Sequence, residues 1–308
     1  MKWFMGLILG LGLCLVFGAS VSQGEWRMQI HKGATVERHF LADVDSVTFS
    51  DDGMVLIPAG TFTMGSPTSE PGRYSAETQH EVTLTKAIYV STYEVTQSEW
   101  LAVMGWNTSY FSGVNRPVET LTWYDAVSYC NQRSTLDGYT PVYTIAGASY
   151  SGNHIASATV TWNQAANGYR LLTEAESEYA CRATSTTAFC NGAITNLICS
   201  PLDPNLDQVG WYCGNASSTS HDVGGKAANA WGLKDMHGNV FEWCWDWYGT
   251  YPAGPLTDPT GPASGSSRVG RGGSWGDDAR GCRSAGRGSG GPGGIYNELG
   301  LRLSRTAP

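Results

Sequence analysis

The segment Tyr169-Arg-Leu-Leu-Thr-Glu-Ala-Glu-Ser-Glu-Tyr-Ala-Cys-Arg182 contains the clearest helix start in this sequence. Thr173 lies three residues before Glu176, so its hydroxyl can accept from the N–H of Glu176 while the Glu carboxylate reaches back to the N–H of Thr173. Tyr179 and Ala180 follow at helical spacing. The segment therefore predicts a short helix that begins just after Thr173.

The same pattern occurs twice more, in Thr96-Gln-Ser-Glu99 and in Thr122-Trp-Tyr-Asp125. The apolar runs Met54 to Met64 and His80 to Thr85 are typical of strands. From about Asn191 onward the chain is rich in Gly, Trp, Asn and Asp and has almost no helical periodicity. Short helices among many short strands and long loops predict an irregular, loop-rich α+β fold.

The composition excludes two classes of protein. The chain has 308 residues, 12 Trp and 15 Tyr, and only 15% of its residues are charged, which is too apolar and aromatic for a disordered protein. The formal net charge of −8 argues against non-specific nucleic-acid binding, which needs basic side chains to neutralise phosphates.

The amino terminus predicts export. Lys2 is followed by an apolar run from Phe4 to Phe17 and then by Gly18, Ala19 and Ser20, a pattern typical of a cleaved signal peptide over 1–20. The run of about 14 apolar residues is short for a membrane span. We therefore predict a protein secreted or held in the cell envelope, with an uncleaved anchor or lipid attachment at Cys14 as alternatives. Residues 25–50 predict a short strand pair around Gly33, and the main domain is expected over 54–305.

Five long segments, taken in order, resemble the sulfatase-modifying-factor family, which includes the formylglycine-generating enzymes. They are residues 54–66, 93–100, 169–182, 229–243 and 268–275. The resemblance implies a formylglycine-generating-enzyme-like domain with a C-type-lectin-like core.

The resemblance also places the two copper-binding cysteines of the enzymes at Asp277 and Cys282. Cu(I) prefers two thiolates, and one thiol beside a carboxylate does not supply them. We therefore predict that the chain binds no copper and has no oxidase activity, and we assign no catalytic residue, although Cys282 matches the second cysteine of the enzymes. The alternative is a formylglycine-generating or related metal-dependent oxidase acting on protein cysteine. A non-haem iron variant needs histidine ligands, but the six His show no paired spacing.

One metal site does carry over from the family, a structural calcium site at Asp235, Gly238, Val240 and Glu242. Carboxylates and peptide oxygens are the ligands that Ca²⁺ prefers. The alternative is that Asp235 and Glu242 form ion pairs with nearby arginines.

The family enzymes bridge the positions of Cys130 and Cys181 to distant cysteines that this chain lacks. A Cys130–Cys181 bridge is the economical replacement, Cys199 and Cys213 flank one loop that they can close, and Cys244 and Cys282 remain as a third pair. Buried free thiols are the alternative to all three bridges. The seven Arg of 268–305 are interpreted as ties to irregular backbone carbonyls.

The carboxyl-terminal segment alternates a fixed frame with variable-looking positions. The latter are Gly276, Asp277, Asp278, Gly281, Gly286, Gly288, Ser289, Gly290, Gly291, Gly293, Gly294, Ile295, Tyr296 and Asn297. Each of these residues has a codon reachable from the Asn codon AAC by changing adenines alone, and none is Lys, Glu, Gln, Trp or Met, which that route cannot make. This pattern resembles the variable region of diversity-generating retroelement proteins, and an ordinary Gly-rich loop is the alternative.

From this pattern we predict an exported protein that binds an unknown protein or glycan ligand through a face within 275–297. Small residues and Tyr are typical of adaptable binding loops. The predicted ligand-binding residues are Trp275, Gly276, Asp277, Asp278, Gly281, Gly286, Ser289, Ile295, Tyr296 and Asn297.

Overall fold

The computed structural model describes residues 53–308 in full and, before them, the backbone of four strands. These strands are β1 (Met5–Leu9), β2 (Leu13–Phe17), β3 (Arg27–Lys32) and β4 (Thr35–Phe40). Each pairs antiparallel with the next, and together they belong to a compact unit of their own. The residues around the predicted signal-peptide cleavage point, 18–20, lie outside the described residues, so export stays a prediction.

The second unit contains the main domain. Its described helices are α1 (Gln97–Met104), α2 (Trp123–Leu136), α3 (Glu174–Arg182) and α4 (Leu206–Val209). Its strands are β5 (Met54–Ile57), β6 (Gly60–Met64), β7 (His80–Leu84), β8 (Ile88–Ser91), β9 (Tyr143–Ser151), β10 (His154–Trp162), β11 (Phe241–Trp247), β12 (Leu256–Thr257), β13 (Arg268–Arg271), β14 (Arg287–Gly290), β15 (Leu299–Gly300) and β16 (Ser304–Thr306). This is the predicted mixed fold, with few helices and many short strands.

All three predicted helix starts are confirmed. Thr96, Thr122 and Thr173 each accept a hydrogen bond from the third helical residue, whose carboxylate bonds back to the N–H of the Thr. The strand expected over 54–64 is instead two strands, because Pro58 has no N–H to continue the ladder. Strand β5 pairs with β8, and β6 pairs with β7.

One sheet contains the carboxyl-terminal segment with the variable-looking positions. Its strand order is β14-β13-β11-β15, so that the carboxyl-terminal hairpin lies beside β11. Residues 272–286 join β13 to β14, and residues 291–298 join β14 to β15. Two loops of one sheet therefore hold almost all the predicted ligand-binding positions.

The core is dominated by aromatic side chains. Trp100, Trp123 and Trp243 are fully buried; Trp100 stacks on Tyr129 with ring centroids 5.1 Å apart, and Trp123 donates its indole N–H to the carbonyl of Cys244 over 2.8 Å. Such rings bury a large apolar area each. Among the described residues, no helix is long and apolar enough to cross a membrane.

Candidate functional site

The two loops, residues 272–286 and 291–298, together with β14, form what we call the C-terminal face. Its most exposed residues include Ile295 and Tyr296, with 50% and 42% of their surface accessible. Gly276, Ser289 and Gly293 are exposed as well, and Trp275, Asp277, Asp278, Gly281 and Asn297 are half-buried. Gly286 is buried. The structure thus brings nine of the ten predicted residues to the surface and places Gly286 beneath it.

Backbone hydrogen bonds from three other parts of the chain anchor the face. The N–H of Thr120 donates to the carbonyl of Tyr296 over 3.0 Å, and the N–H of Trp123 donates to the carbonyl of Pro292 over 3.0 Å. The N–H of Cys213 donates to the carbonyl of Asp277 over 3.0 Å. Backbone carbonyls make these bonds, so they do not depend on which side chain stands at 277 or 296.

Arginines with buried partners hold the frame beneath the face. Arg283 contacts both oxygens of Glu77, at 2.8 and 2.6 Å, and Arg287 contacts both oxygens of Glu174, at 2.6 and 2.8 Å. Arg271 donates to the carbonyls of residues 284 and 286, at 3.0 and 2.6 Å. Two-oxygen contacts of this kind use the planar fork of the guanidinium. These frame arginines are therefore structural, and they bind glutamate carboxylates as well as the backbone carbonyls expected from the sequence.

An aromatic strip borders the face and was missed from the sequence. The Trp275 ring lies edge-on to Phe111 at 5.2 Å, and Phe111 lies edge-on to Tyr110 at 4.9 Å. Tyr110 is 70% exposed. Nothing in the sequence places the loop after α1 beside residue 275; the only available signal was two adjacent aromatic residues in a Ser- and Asn-containing loop, a composition typical of binding loops.

The glycines of the C-terminal face differ from those elsewhere in their backbone conformation. Of the 33 described glycines, 15 have φ between +20° and +160°, the region that favours Gly. The variable-looking positions include eight glycines, and none of these eight has such a φ. Those eight glycines therefore have backbone conformations that other residues adopt without strain.

The space around these eight glycines decides which of them can carry a side chain. A Cβ at Gly276 or Gly291 would meet nothing closer than 3.4 or 4.0 Å. Four other glycines would place a Cβ against a side chain. These are Gly281 against Asp277, Gly288 against Phe241, Gly290 against Trp243 and Gly294 against Tyr296. At Gly286 and Gly293 a Cβ would meet backbone carbonyl oxygens at 2.5 and 2.3 Å. Gly286 and Gly293 are therefore closed by the backbone, and Gly290 faces the ring of the fully buried Trp243.

The two positions that match the copper-binding cysteines have the wrong chemistry for a thiolate pair. Cys282 is fully buried, and burial, followed by the charge of Asp277, raises the pKa of its thiol well above the usual range. Burial also raises the pKa of Asp277, although the hydroxyl of Ser274 donates to its carboxylate over 2.5 Å and opposes that shift. The two positions thus offer one thiol and one carboxyl group, whereas Cu(I) prefers soft sulfur ligands.

The remaining cysteines correct two of the predicted bridges. Cys199 and Cys213 form a disulfide, while Cys130, Cys181, Cys244 and Cys282 are free buried thiols, so the expected Cys130–Cys181 and Cys244–Cys282 bridges are wrong.

A histidine lies beside one of these thiols. The Cys181 sulfur is 3.6 Å from Nε2 of His237, and burial raises the pKa of Cys181 to about 11. His237 Nδ1 bonds to the carbonyl of Cys282 over 2.8 Å, and its Nε2 accepts from the N–H of Cys190 over 3.1 Å. With both ring nitrogens engaged, His237 links loops of the core.

Of the four predicted calcium-binding residues, Asp235, Gly238 and Val240 lie in the turn between α4 and β11, and Glu242 is the second residue of β11. Asp235 and Gly238 have φ of +58° and +98°, and Asp235 Oδ1 is buried without a hydrogen-bond partner. Arg302 donates to Glu242 Oε1 over 2.8 Å. Glu94, also fully buried, has two carboxylate oxygens without partners. Within residues 53–308, no cluster of three or more His, Cys, Asp or Glu is arranged to hold a metal by side chains alone.

Burial and mutual repulsion shape the charges of this turn. Burial, followed by the charge of Asp235, raises the pKa of Glu94 well above the usual range. Burial also raises the pKa of Asp235 and of Glu242, while Arg302 opposes both shifts. One guanidinium thus faces three buried carboxyl groups.

The sequence of this chain is similar to those of several known proteins. Residues 41–307 match the model of the sulfatase-modifying factor enzyme 1-like domain. The chaperone protein LppX of Paenibacillus barcinonensis is 35% identical over 283 residues, which are 85% of this chain and 91% of LppX. The formylglycine-generating enzyme of Mus musculus is 29% identical over 264 residues, which are 72% of this chain and 66% of the enzyme.

Among solved structures, Treponema denticola variable protein 1 superposes with a TM-score of 0.72 and 34% identity, over 82% of this chain and 95% of that one. Proteins named as a chaperone, an enzyme and a variable protein thus share one scaffold. Because one fold serves such different roles, the function depends on the residues of the site.

Proposed function

Starting from the fact that this chain belongs to the sulfatase-modifying factor enzyme 1-like family, we propose that it is an exported ligand-binding protein whose C-terminal face was diversified by a retroelement. The ligand is a protein or a glycan. The likeness to Treponema denticola variable protein 1 and to a chaperone supports a binding role rather than a catalytic one.

The observation that carries the proposal is the ordinary backbone conformation of the eight variable-looking glycines. Where a fold requires Gly, φ is positive or another atom occupies the place of Cβ. At Gly276 and Gly291 neither condition holds. Gly is then explained by its codon, since changing both adenines of AAC to guanine yields GGC.

The frame around these positions supports the same reading. Buried Arg–Glu contacts and backbone hydrogen bonds fix the loops without using the variable side chains. A binding surface gains from such a rigid support, since less conformational entropy is lost on binding. Exposed Tyr110 and Tyr296 supply large contact areas next to the small residues.

The gene sequence tests the proposal directly. We expect the codons at the fourteen variable-looking positions to end almost uniformly in C, and a near-repeat rich in AAC to lie close to a reverse-transcriptase gene. The frame codons serve as the internal control, because their third bases should be mixed. Mixed third bases at the variable-looking positions as well would refute diversification.

A copper titration tests the enzymatic alternative. With a single thiol at Cys282 and a carboxylate in place of the second thiol at 277, we expect no tight 1:1 binding of Cu(I) by the purified protein and no change in Cys282→Ser. Tight binding that is lost in Cys282→Ser would instead support an oxidase.

We also propose that Ca²⁺ supports the turn beneath the face in a structural role. Asp235 and Glu242 would supply carboxylate oxygens, and Gly238 and Val240 would supply peptide oxygens. The partnerless Asp235 Oδ1 and the excess of buried carboxyl groups over guanidinium fit such an ion.

A further inference from the structure

A cavity of about 360 Å³ lies on a part of the domain that contains none of the ten predicted ligand-binding residues. The proline-rich segment 249–262 forms one wall, and β6, β7, α3, the end of β11 and Arg287 of β14 contribute the others. Its volume falls in the range of small-molecule sites. The apolar lining includes Met64, Ala175, Trp247, Tyr251, Leu256 and Pro262.

The proline-rich wall is fixed in place. Strand β12 pairs in parallel with β7, with Leu256 opposite Val82. Asp258 Oδ1 accepts from the N–H of Thr85 over 2.8 Å. The chain also closes on itself, since a Cβ at Gly249 would lie 2.7 Å from the ring of Pro262. The cavity is therefore preformed, and a ligand would not have to order its wall.

His80 supplies a hydrogen-bond acceptor. Its Nδ1 lies 3.0 Å from the carbonyl of Thr78, which can only accept, so the proton of the neutral ring is on Nδ1. Nε2 is then an acceptor, and it is buried without a partner, while His80 as a whole is only 8% exposed. Leaving a buried polar atom unpaired is costly, so Nε2 favours a ligand that donates to it.

Asp246 adds a second polar group to the cavity lining. One of its oxygens accepts from the N–H of Glu174 over 2.9 Å. Burial, followed by the charge of Glu174, raises the pKa of Asp246 well above the usual range, which favours the uncharged acid. Glu174 itself is paired with Arg287 at 2.6 and 2.8 Å and accepts from the Tyr251 hydroxyl over 3.0 Å.

We propose that this cavity is a second binding site, for a small uncharged ring compound that carries an N–H or O–H donor. The aromatic lining favours a planar ring, and the paired state of Glu174 and Arg287 offers no charge for an ionic ligand to match.

Isothermal titration calorimetry with indole and with N-methylindole tests the proposal. The two probes have nearly the same ring, but only indole has the N–H donor. We expect indole to bind about 5-fold more tightly, the usual worth of one hydrogen bond, and we expect His80→Phe to remove this preference. Equal affinities in the unaltered protein would refute the role of His80, and no binding of either probe would refute the site.

Tyr251→Ala and Tyr248→Ala form a matched pair that locates the binding. Both rings stack on Arg287, at 4.0 and 4.4 Å, but only Tyr251 lines the cavity. We expect indole affinity to fall about 10-fold in Tyr251→Ala, as for the loss of a large apolar contact, and to stay within about 2-fold in Tyr248→Ala. Equal losses in both would place indole elsewhere. The affinities for indole are independent of the codons at the C-terminal face, so the cavity can be refuted without refuting diversification of that face.

Discussion

Two glycine-containing regions next to β11 use the same residue for different reasons. In the turn before β11, Gly238 has a φ of +98°, and a Cβ there would lie 2.1 Å from the carbonyl oxygen of Trp211. On the C-terminal face, Gly276 and Gly291 have neither a positive φ nor a close neighbour. The first region requires Gly to fold, and the second tolerates other residues. A high Gly content alone therefore says nothing about whether a loop is constrained.

The largest change in stability is expected from a substitution of Gly238, and the same substitution on the C-terminal face should have almost no effect. Gly238→Ala adds a strained positive φ, at about 1–2 kcal/mol, and an overlap with the Trp211 carbonyl, at about 1–3 kcal/mol. We expect a loss of about 4 kcal/mol in the free energy of unfolding, measured by urea denaturation. Gly276→Ala is the control and should change it by less than about 0.5 kcal/mol. Equal losses would remove the distinction between the regions.

The frame beneath the face should be nearly as sensitive as the turn. Arg283→Met leaves Glu77 and Glu70 buried without their common partner, and breaking a buried ion pair costs about 3 kcal/mol. The side chain of Arg280 is 41% exposed and pairs only with Asp278, so Arg280→Met is the control. Its unfolding curve should nearly superpose on that of the unaltered protein. If Arg283→Met leaves the free energy of unfolding unchanged, the backbone hydrogen bonds alone hold the loops.

The calcium proposal predicts a ligand-dependent gain in the turn. With Ca²⁺ at about 100 times its Kd, the free energy of unfolding should rise by about 2.7 kcal/mol, seen as a higher thermal midpoint. Glu242→Gln should lose this gain, whereas Glu81→Gln, at an exposed position on β7, should keep it. Identical melting of the unaltered protein with calcium and with chelator would exclude the site.

Local signals in the sequence predicted the parts of this fold that local contacts decide. The three helix starts were readable because a capping box joins residues only three apart. The hairpin of β9 and β10 was missed, although β10 alternates half-buried apolar side chains with exposed Ser and Thr from Ala156 to Trp162. The position of Phe111 beside Trp275 depends on how distant loops pack. The closed state of Gly286 likewise depends on the carbonyl of Gly281, which no sequence pattern shows.

The smallest expected effect concerns the C-terminal face itself, and it is the most specific to diversification. Asn is the residue that the template codon AAC encodes, so a diversified position with room for a side chain should accept it. Gly276→Asn and Gly291→Asn should each change the free energy of unfolding by less than about 0.5 kcal/mol, because their Cβ atoms meet nothing closer than 3.4 Å. Gly286→Asn and Gly293→Asn should cost about 2 kcal/mol, since backbone oxygens stand at 2.5 and 2.3 Å. A costly Asn at 276 or 291 would contradict diversification, whereas a harmless Asn at 286 would extend the face below its present surface.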